Sequence, residues 1–404
     1  MKFYYENLDY KVKSNGWKDG LYDKQFCHIS NLDWAYGHKH PIFELNDTDN
    51  IVWNFSIIGE MNSNIIDSNK DYFENVFNKI KDKPNIRLVF SNFHEGTNQI
   101  HFFAKLLLLK DKYQIKDNRI VVVTNNKHVE SFNSHGIRII YKPYLFGFLV
   151  DHYRDLEKNS IEHKGSEIGL LNTYEYLNTP KKKFFLSYNK NTTKKFRIQL
   201  VLWLIKNNIL DDSLVSILIK NENFGIKNLE SEQSELFDLD KYYDKFQQIG
   251  FNILDWDYPN HQNDVFSNLK YTTKSHYADT CFNIITETSF ESNSLNLTEK
   301  SFKALANCHP FLIIGDRGCN HFLKTLGFHI YDDLICFDFD HVRDNEERLN
   351  KAFIEINKIY KMGRDSIMSW YKTHIDKVIS NRQKFFEFSF SKMIDETIEE
   401  LKEY

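Results

Sequence analysis

Short runs of β-branched and aromatic residues punctuate the first part of the chain, at Ile51–Ile58, Ile86–Phe90, Ile120–Thr124 and Ile137–Tyr141. Between them, Asp71–Lys81 and Gln99–Leu109 read as helices. Strands alternating with helices predict a parallel sheet covered on both faces. Residues 151–180 are polar and aperiodic and end in Pro180, which marks a boundary. The alternation then restarts. Strands are expected at Lys183–Tyr188, Leu214–Leu218, Phe251–Trp256, Phe282–Thr286 and Pro310–Ile314. Helices are expected at Lys194–Asn208, Lys241–Gln248, Glu299–Asn307, Asn320–Leu326, Glu346–Met362 and Ser366–Phe385. The pattern divides the chain into α/β domains at 1–175 and 176–365, with the helices of 366–404 packing back on the first. Ligands of open α/β sheets sit at the carboxyl ends of strands, so the loops that follow strands are where chemistry is sought.

One such loop lies in residues 283–315, NIITETSFESNSLNLTEKSFKALANCHPFLIIG, which read as strand, polar loop, helix and strand. Thr298 is placed to cap the helix that begins at Glu299. The free N–H groups and positive dipole end of a helix start suit a phosphate. Lys300 adds a point charge, and Glu299 can accept hydrogen bonds from a vicinal diol such as a ribose. Adjacent residues on a helix point in different directions, so the two are expected to serve two parts of one ligand rather than each other. The plain alternative is a capped helix whose glutamate complements the dipole, with Lys300 solvated. A second candidate is 181–217, a strand, a basic Asn/Thr turn and an amphipathic helix that carries Lys195 and Arg197 near its start. Arginine offers the bidentate fork that phosphate oxygens accept, and a departing diphosphate needs that neutralisation. Lys190 and Lys194 are read as solvated.

Composition narrows the classes. Of 404 residues, 41% are apolar and 27% charged, with both signs interspersed, as in a folded soluble protein. The net charge of −4 gives no general attraction for polyanions. Aromatics reach 15%, alongside abundant Asn, Lys and Ile, a bias that reports A/T-rich codons rather than chemistry. MKFYYENLDYKVKSNGW has no apolar signal core, and the longest apolar runs are far short of the ~20 residues that span a bilayer. Cys27, Cys281, Cys308, Cys319 and Cys336 show no paired spacing. That usage fits reduced thiols, and the expected location is the cytoplasm.

Glycine-rich phosphate loops, H-E-x-x-H and G-x-S-x-G are all missing from the sequence. What it does contain is Ile285-Thr286-Glu287-Thr288, then Leu297-Thr298-Glu299-Lys300-Ser301-Phe302, Ala304-Leu305-Ala306 and Pro310-Phe311-Leu312-Ile313-Ile314-Gly315. This series resembles the donor-binding segment of GT-B glycosyltransferases. It is most similar to α1,3-fucosyltransferase-like enzymes and to glycosyltransferases of large phages and viruses. Leu326-Gly327-Phe328 and Asn345-Glu346-Glu347-Arg348-Leu349 extend the likeness, which covers about 70 residues. The resemblance implies two Rossmann-like domains facing across a cleft, the first for the acceptor and the second for a nucleotide-diphosphate sugar. It implies donor contacts at Lys195, Arg197, Glu287, Thr298, Glu299 and Lys300, with Glu299 on the ribose and Lys300 on the diphosphate. No further cofactor is implied. In a viral context the cytoplasm would be the host's.

Inverting transfer needs a base for the acceptor hydroxyl. Glu95, in the His94-Glu95-Gly96 turn after the strand Ile86–Phe90, is the candidate, with His94 its rival. His38 and His40 in YGHKHP alternate on one face of an extended segment and are read as acceptor contacts rather than a metal site. Asp255-Trp256-Asp257 and Asp338-Phe339-Asp340 match the D-x-D of metal-dependent transferases, where a strand would put both carboxylates on one face. They are set aside in favour of metal-independent transfer. The acceptor is read as a glycan or similar hydroxyl compound. The alternative acceptor is a hydroxymethylated pyrimidine in DNA, reached by base flipping. A third reading, of a different class, is a non-catalytic nucleotide-sugar-binding protein.

Overall fold

The computed structural model describes residues 2–7, 51–56, 63–92, 100–158, 161–163, 166–191, 194–218, 272–291, 295 and 297–403. The chain forms two compact units. One comprises Met1–Phe148, Ser292–Asn296 and Ser389–Tyr404; the other comprises Leu149–Glu291 and Leu297–Phe388.

The first unit is built on a parallel sheet of five strands in the order β1-β2-β3-β4-β5: Lys2–Asn7, Ile51–Ser56, Ile86–Asn92, Ile120–Thr124 and Ile137–Tyr141. β1 was not expected from the sequence; it pairs in register with β2, Lys2 opposite Ile51. β4 (Ile-Val-Val-Val-Thr) is buried along its whole length, as a strand covered on both faces requires. Helices α1 (Ser63–Ser68), α2 (Lys70–Ile80) and α3 (Ile100–Lys112) follow between strands. α2 buries Phe73, Val76, Phe77 and Ile80, the spacing of one helical face. Phe55 stacks on Phe90 at 5.2 Å, and Phe102 meets Phe90 edge-on.

α4 (Tyr144–Lys158) begins in this unit, and α12 (Phe390–Lys402) is the chain's last contribution to it. Lys142 reaches Glu396 and Glu400 of α12 at 2.8 and 2.9 Å, and Tyr144 hydrogen-bonds Thr397. Of residues 366–404, only those from Ser389 onward belong to the first unit.

Residues 151–180 contain more order than their polarity suggests. They hold the rest of α4, an antiparallel pair β6 (Ile161–His163) and β7 (Ser166–Ile168), and α5 (Thr173–Asn178), which a reciprocal Asn172–Glu175 capping box starts.

The second unit carries β8 (Lys183–Asn191), β9 (Ser213–Leu218), β10 (Thr280–Thr286) and β11 (Phe311–Ile314) in a parallel sheet of order β11-β10-β8-β9. Beside α5, its helices among the described residues include α6 (Lys195–Lys206), α7 (Lys274–Ala278), α8 (Glu299–Ala306), α9 (Cys319–Thr325), α10 (Asn345–Thr373) and α11 (Ile375–Glu387). α10 breaks at Gly363, whose φ of +79° and ψ of 162° only glycine adopts readily; its first arm matches the expected helix Glu346–Met362, while the expected helix Ser366–Phe385 is divided at His374 between its second arm and α11. The expected strand Phe251–Trp256 and helix Lys241–Gln248 lie outside the described residues. Both sheets are mixed into an α/β architecture by the βα alternation that the hydrophobic pattern predicts.

Strand order differs between the units. Among the described strands of the first it runs monotonically. In the second, β8 has β9 on one side and β10 on the other, so the chain reverses direction across the sheet there. A reversal of this kind opens a crevice at the carboxyl ends of the two strands, the place where open α/β sheets hold ligands.

Candidate functional site

The reversal lies between Asn189, near the end of β8, and Thr286, the last residue of β10. Polar side chains stitch it shut from below. Thr286 Oγ1 donates to Asn189 Oδ1 at 2.6 Å, Asn189 Nδ2 to Ser187 Oγ at 2.9 Å, and Ser187 Oγ to the Ile284 carbonyl at 2.8 Å. The Asn189 amide donates to Ser216 Oγ of β9 at 3.1 Å. All four residues are buried. Their one sequence signal is the alternation Ser187, Asn189 within an apolar strand.

Arg197, in the first turn of α6, reaches the exit of β10. It is 3% exposed, and its Nη2 donates to the carbonyls of Thr286 at 3.2 Å and Glu287 at 2.8 Å. That guanidinium fixes the exit of β10 by holding its backbone. Phe196, the preceding residue, stacks on Phe290 at 4.7 Å, and the Arg348 guanidinium lies 4.4 Å over the Phe290 ring while donating to the Phe290 carbonyl. The loop leaving β10 is thereby pinned at 286, 287 and 290. Lys195 is half-buried at the first position of α6.

Glu287 is fully buried and organises the far side of the loop. Its carboxylate accepts from the Thr298 amide at 3.1 Å, from the Thr298 hydroxyl and from the Ser301 hydroxyl. Burial pushes its carboxyl above the usual range, against the pull of Lys300 and these donors. Thr298 does sit at the N-cap of α8, but its hydroxyl makes no capping bond; it points to Glu287 instead. Glu287 is therefore the knot that ties the β10 exit to the α8 start, a role the sequence did not separate from donor contact.

Above the knot stand Glu299 and Lys300. They were expected to diverge, and the structure pairs them: Lys300 Nζ lies 2.7 Å from Glu299 Oε1 and 3.3 Å from Thr298 Oγ1. The physical reason is burial. Glu299 is 9% exposed, and a carboxylate withdrawn from water needs a counter-charge. Burial alone would raise its pKa, yet the charges of Lys300 and Lys303, with the Lys300 hydrogen bond, hold it down at about 2. Its second oxygen, Oε2, is buried and has no hydrogen-bond partner among the described residues.

Arg197 and Lys300 thus reach the same short segment, one through the Glu287 carbonyl and the other through Thr298, whose hydroxyl bonds the Glu287 carboxylate. α8 ends with the left-handed Cys308 (φ +52°), whose neighbour His309 donates to the Ala304 carbonyl at 3.0 Å, and Pro310 follows.

His38, His40, His94 and Glu95 lie outside the described residues, as does Asp255-Trp256-Asp257. Asp338-Phe339-Asp340 is not a strand; it forms a 3-10 turn, Phe337–His341. Asp340 there accepts from Asn320 Nδ2 at 2.9 Å and the His321 amide at 2.9 Å, closing the start of α9. Among the described residues no three His, Cys, Asp or Glu side chains gather into a metal-holding group. Nor is any helix among them long and apolar enough to cross a membrane.

Neither a scan against protein-family models nor a search of curated proteins returns a match for the chain.

Proposed function

We propose that the protein is an inverting, metal-independent glycosyltransferase of the two-domain GT-B type, with its nucleotide-diphosphate sugar bound at the strand reversal of the second unit. The observation that carries this reading is Glu299. At the mouth of a helix, beside the crevice of a parallel sheet, it presents a buried, ionised carboxylate with one oxygen lacking a donor. A ribose diol supplies hydroxyl donors of that kind, and Lys300 beside it supplies charge for the diphosphate. The TEK segment that resembles fucosyltransferase-like enzymes is the same segment that the Glu287 knot builds. Arg197 positions the loop, Lys195 and the first turn of α8 add positive potential, and Glu95 or His94 takes the acceptor proton. The acceptor is a glycan or similar hydroxyl compound.

The test is a thermal-shift panel of UDP-, GDP-, CMP- and dTDP-sugars on the full chain, with and without EDTA. A ligand at about 100 times its Kd stabilises by about 2.7 kcal/mol, and the response should survive EDTA. Glu299→Ala should abolish it. If no nucleotide sugar raises the melting temperature, or Glu299→Ala responds like wild type, the reading is wrong. Glu95→Gln separates enzyme from binding module: an enzyme loses sugar transfer and keeps donor binding.

A further inference from the structure

The guanidinium expected on a diphosphate, Arg197, is buried and donates to the carbonyls of Thr286 and Glu287. Arg348 is buried too, and spends its donors on the carbonyls of Val342 and Phe290 and on Asn345. The same edge of the sheet carries a third arginine, Arg317, in the turn 315–318 that follows β11.

Strand register puts this turn beside the candidate site. β10 and β11 run parallel with Thr286 opposite Ile314, and the Glu287 amide donates to the Ile314 carbonyl at 2.9 Å. Gly315 then passes so close that a Cβ there would lie 3.2 Å from Glu287 Cβ and 2.9 Å from Cys319 Sγ, an approach that glycine permits. Glu287 in turn holds Thr298 and Ser301 at the start of α8. Arg317 is two residues beyond that contact, at most about 7 Å of chain.

Hydrogen bonds fix the turn in place. Asn320 clamps β11, accepting from the Ile313 amide at 3.1 Å and donating to the Ile313 carbonyl at 2.9 Å, and its Nδ2 also donates to Asp340 at 2.9 Å. The Gly318 amide donates to the Asp340 carbonyl at 2.8 Å, and the Cys319 amide to the Asp316 carbonyl at 3.1 Å. Arg317 is half-buried on this frame, yet it makes no hydrogen bond or ion pair among the described residues. Polar groups drawn out of water ordinarily find acceptors. Burial pushes the Arg348 guanidinium below its usual range; Asp316 opposes this, and the charge of Arg317 adds to it. Arg317 therefore feels a like charge, and an anion at its fork would offset that repulsion.

We infer that Arg317 grips the diphosphate, supplying the bidentate fork that Arg197 has committed to the backbone. Lys300 is already matched by Glu299 at 2.7 Å, so a diphosphate brings more negative charge than that lysine alone can offset. That the anion belongs to a nucleotide rests on the functional reading above; the presence of an anion site at Arg317 does not.

The experiment is calorimetric titration of the full chain with inorganic pyrophosphate, UDP and GDP, alongside the melting temperature of each variant. Arg317→Gln should weaken pyrophosphate and the nucleotide that wild type binds by about 10- to 100-fold. Its melting temperature should not change, because no bond within the fold is lost. Arg343→Gln is the control: Arg343 also makes no hydrogen bond or ion pair among the described residues, but it is exposed, and the variant should bind like wild type. The inference is overturned if Arg343→Gln weakens binding as much, or if Arg317→Gln melts several degrees lower, which would make its role structural. It is also overturned if Arg317→Gln binds a nucleotide as tightly as wild type, and the glycosyltransferase reading then survives. If pyrophosphate binding depends on Arg317 but wild type binds neither UDP nor GDP, the anion site stands and the glycosyltransferase reading falls. A wild-type protein that binds none of the three sinks both.

Discussion

Replacing Glu287 by alanine removes the acceptor for three donors at once. The Thr298 amide, the Thr298 hydroxyl and the Ser301 hydroxyl all end on this carboxylate, which is fully buried. A buried donor left without a partner costs roughly 1–3 kcal/mol. The two hydroxyls can rotate to other acceptors and the amide cannot, so a total of about 3–5 kcal/mol is expected, including the cavity. Glu287→Gln keeps the shape and one acceptor oxygen, and should cost only about 1 kcal/mol. In a unit of this size each kcal/mol lowers the melting temperature by about 2–4 °C, so alanine should cost roughly 10 °C and glutamine a few.

The pH dependence has a definite sign. Because burial raises the Glu287 pKa, the folded state holds a proton that the unfolded chain releases. The contribution of Glu287 to stability is thus greatest below the unfolded carboxylate pKa and declines as pH rises through the higher folded value. Glutamine does not titrate, so the deficit of Glu287→Gln should shrink across that window. Chemical denaturation followed by tryptophan fluorescence reads both effects. An alanine variant no less stable than the glutamine variant, or a Glu287→Gln deficit that grows with pH, would refute the account of the knot.

Two further expectations concern the frame of the site. Arg197→Met should leave the Thr286 and Glu287 carbonyls without that donor and destabilise the second unit by about 2–4 kcal/mol, with protease cuts appearing first in the loop after β10; an undamaged loop on limited proteolysis would contradict it. Gly363→Ala meets nothing within 4 Å, so its cost is the backbone conformation alone, about 1–3 kcal/mol by denaturation, with nucleotide response unchanged.

Ile120–Thr124 was readable because burial along its whole length makes it an apolar run, and Ile137–Tyr141 because β-branched residues dominate it; both match the observed bounds residue for residue. β1 escaped because Lys2-Phe-Tyr-Tyr-Glu-Asn gains its place only through a partner some fifty positions away, a tertiary fact. Residues 151–180 read as an aperiodic boundary because α5 is set by a capping box rather than by periodicity. At the site, the TEK segment stood out by type and position. The pairing of Glu299 with Lys300 did not, since neighbouring side chains on a solvated helix diverge and only burial draws them together. Asn189 was illegible for a related reason: its meaning comes from which strand lies alongside, and strand order is not written in local pattern.

α12 carries a consequence for how the molecule is made. The face of the first unit formed by Lys142 and Tyr144 is completed by residues synthesised some 250 positions later. During translation that surface stays bare throughout production of the second unit, open to chaperones or to wrong partners. α12 therefore completes the first unit only after the second has been made.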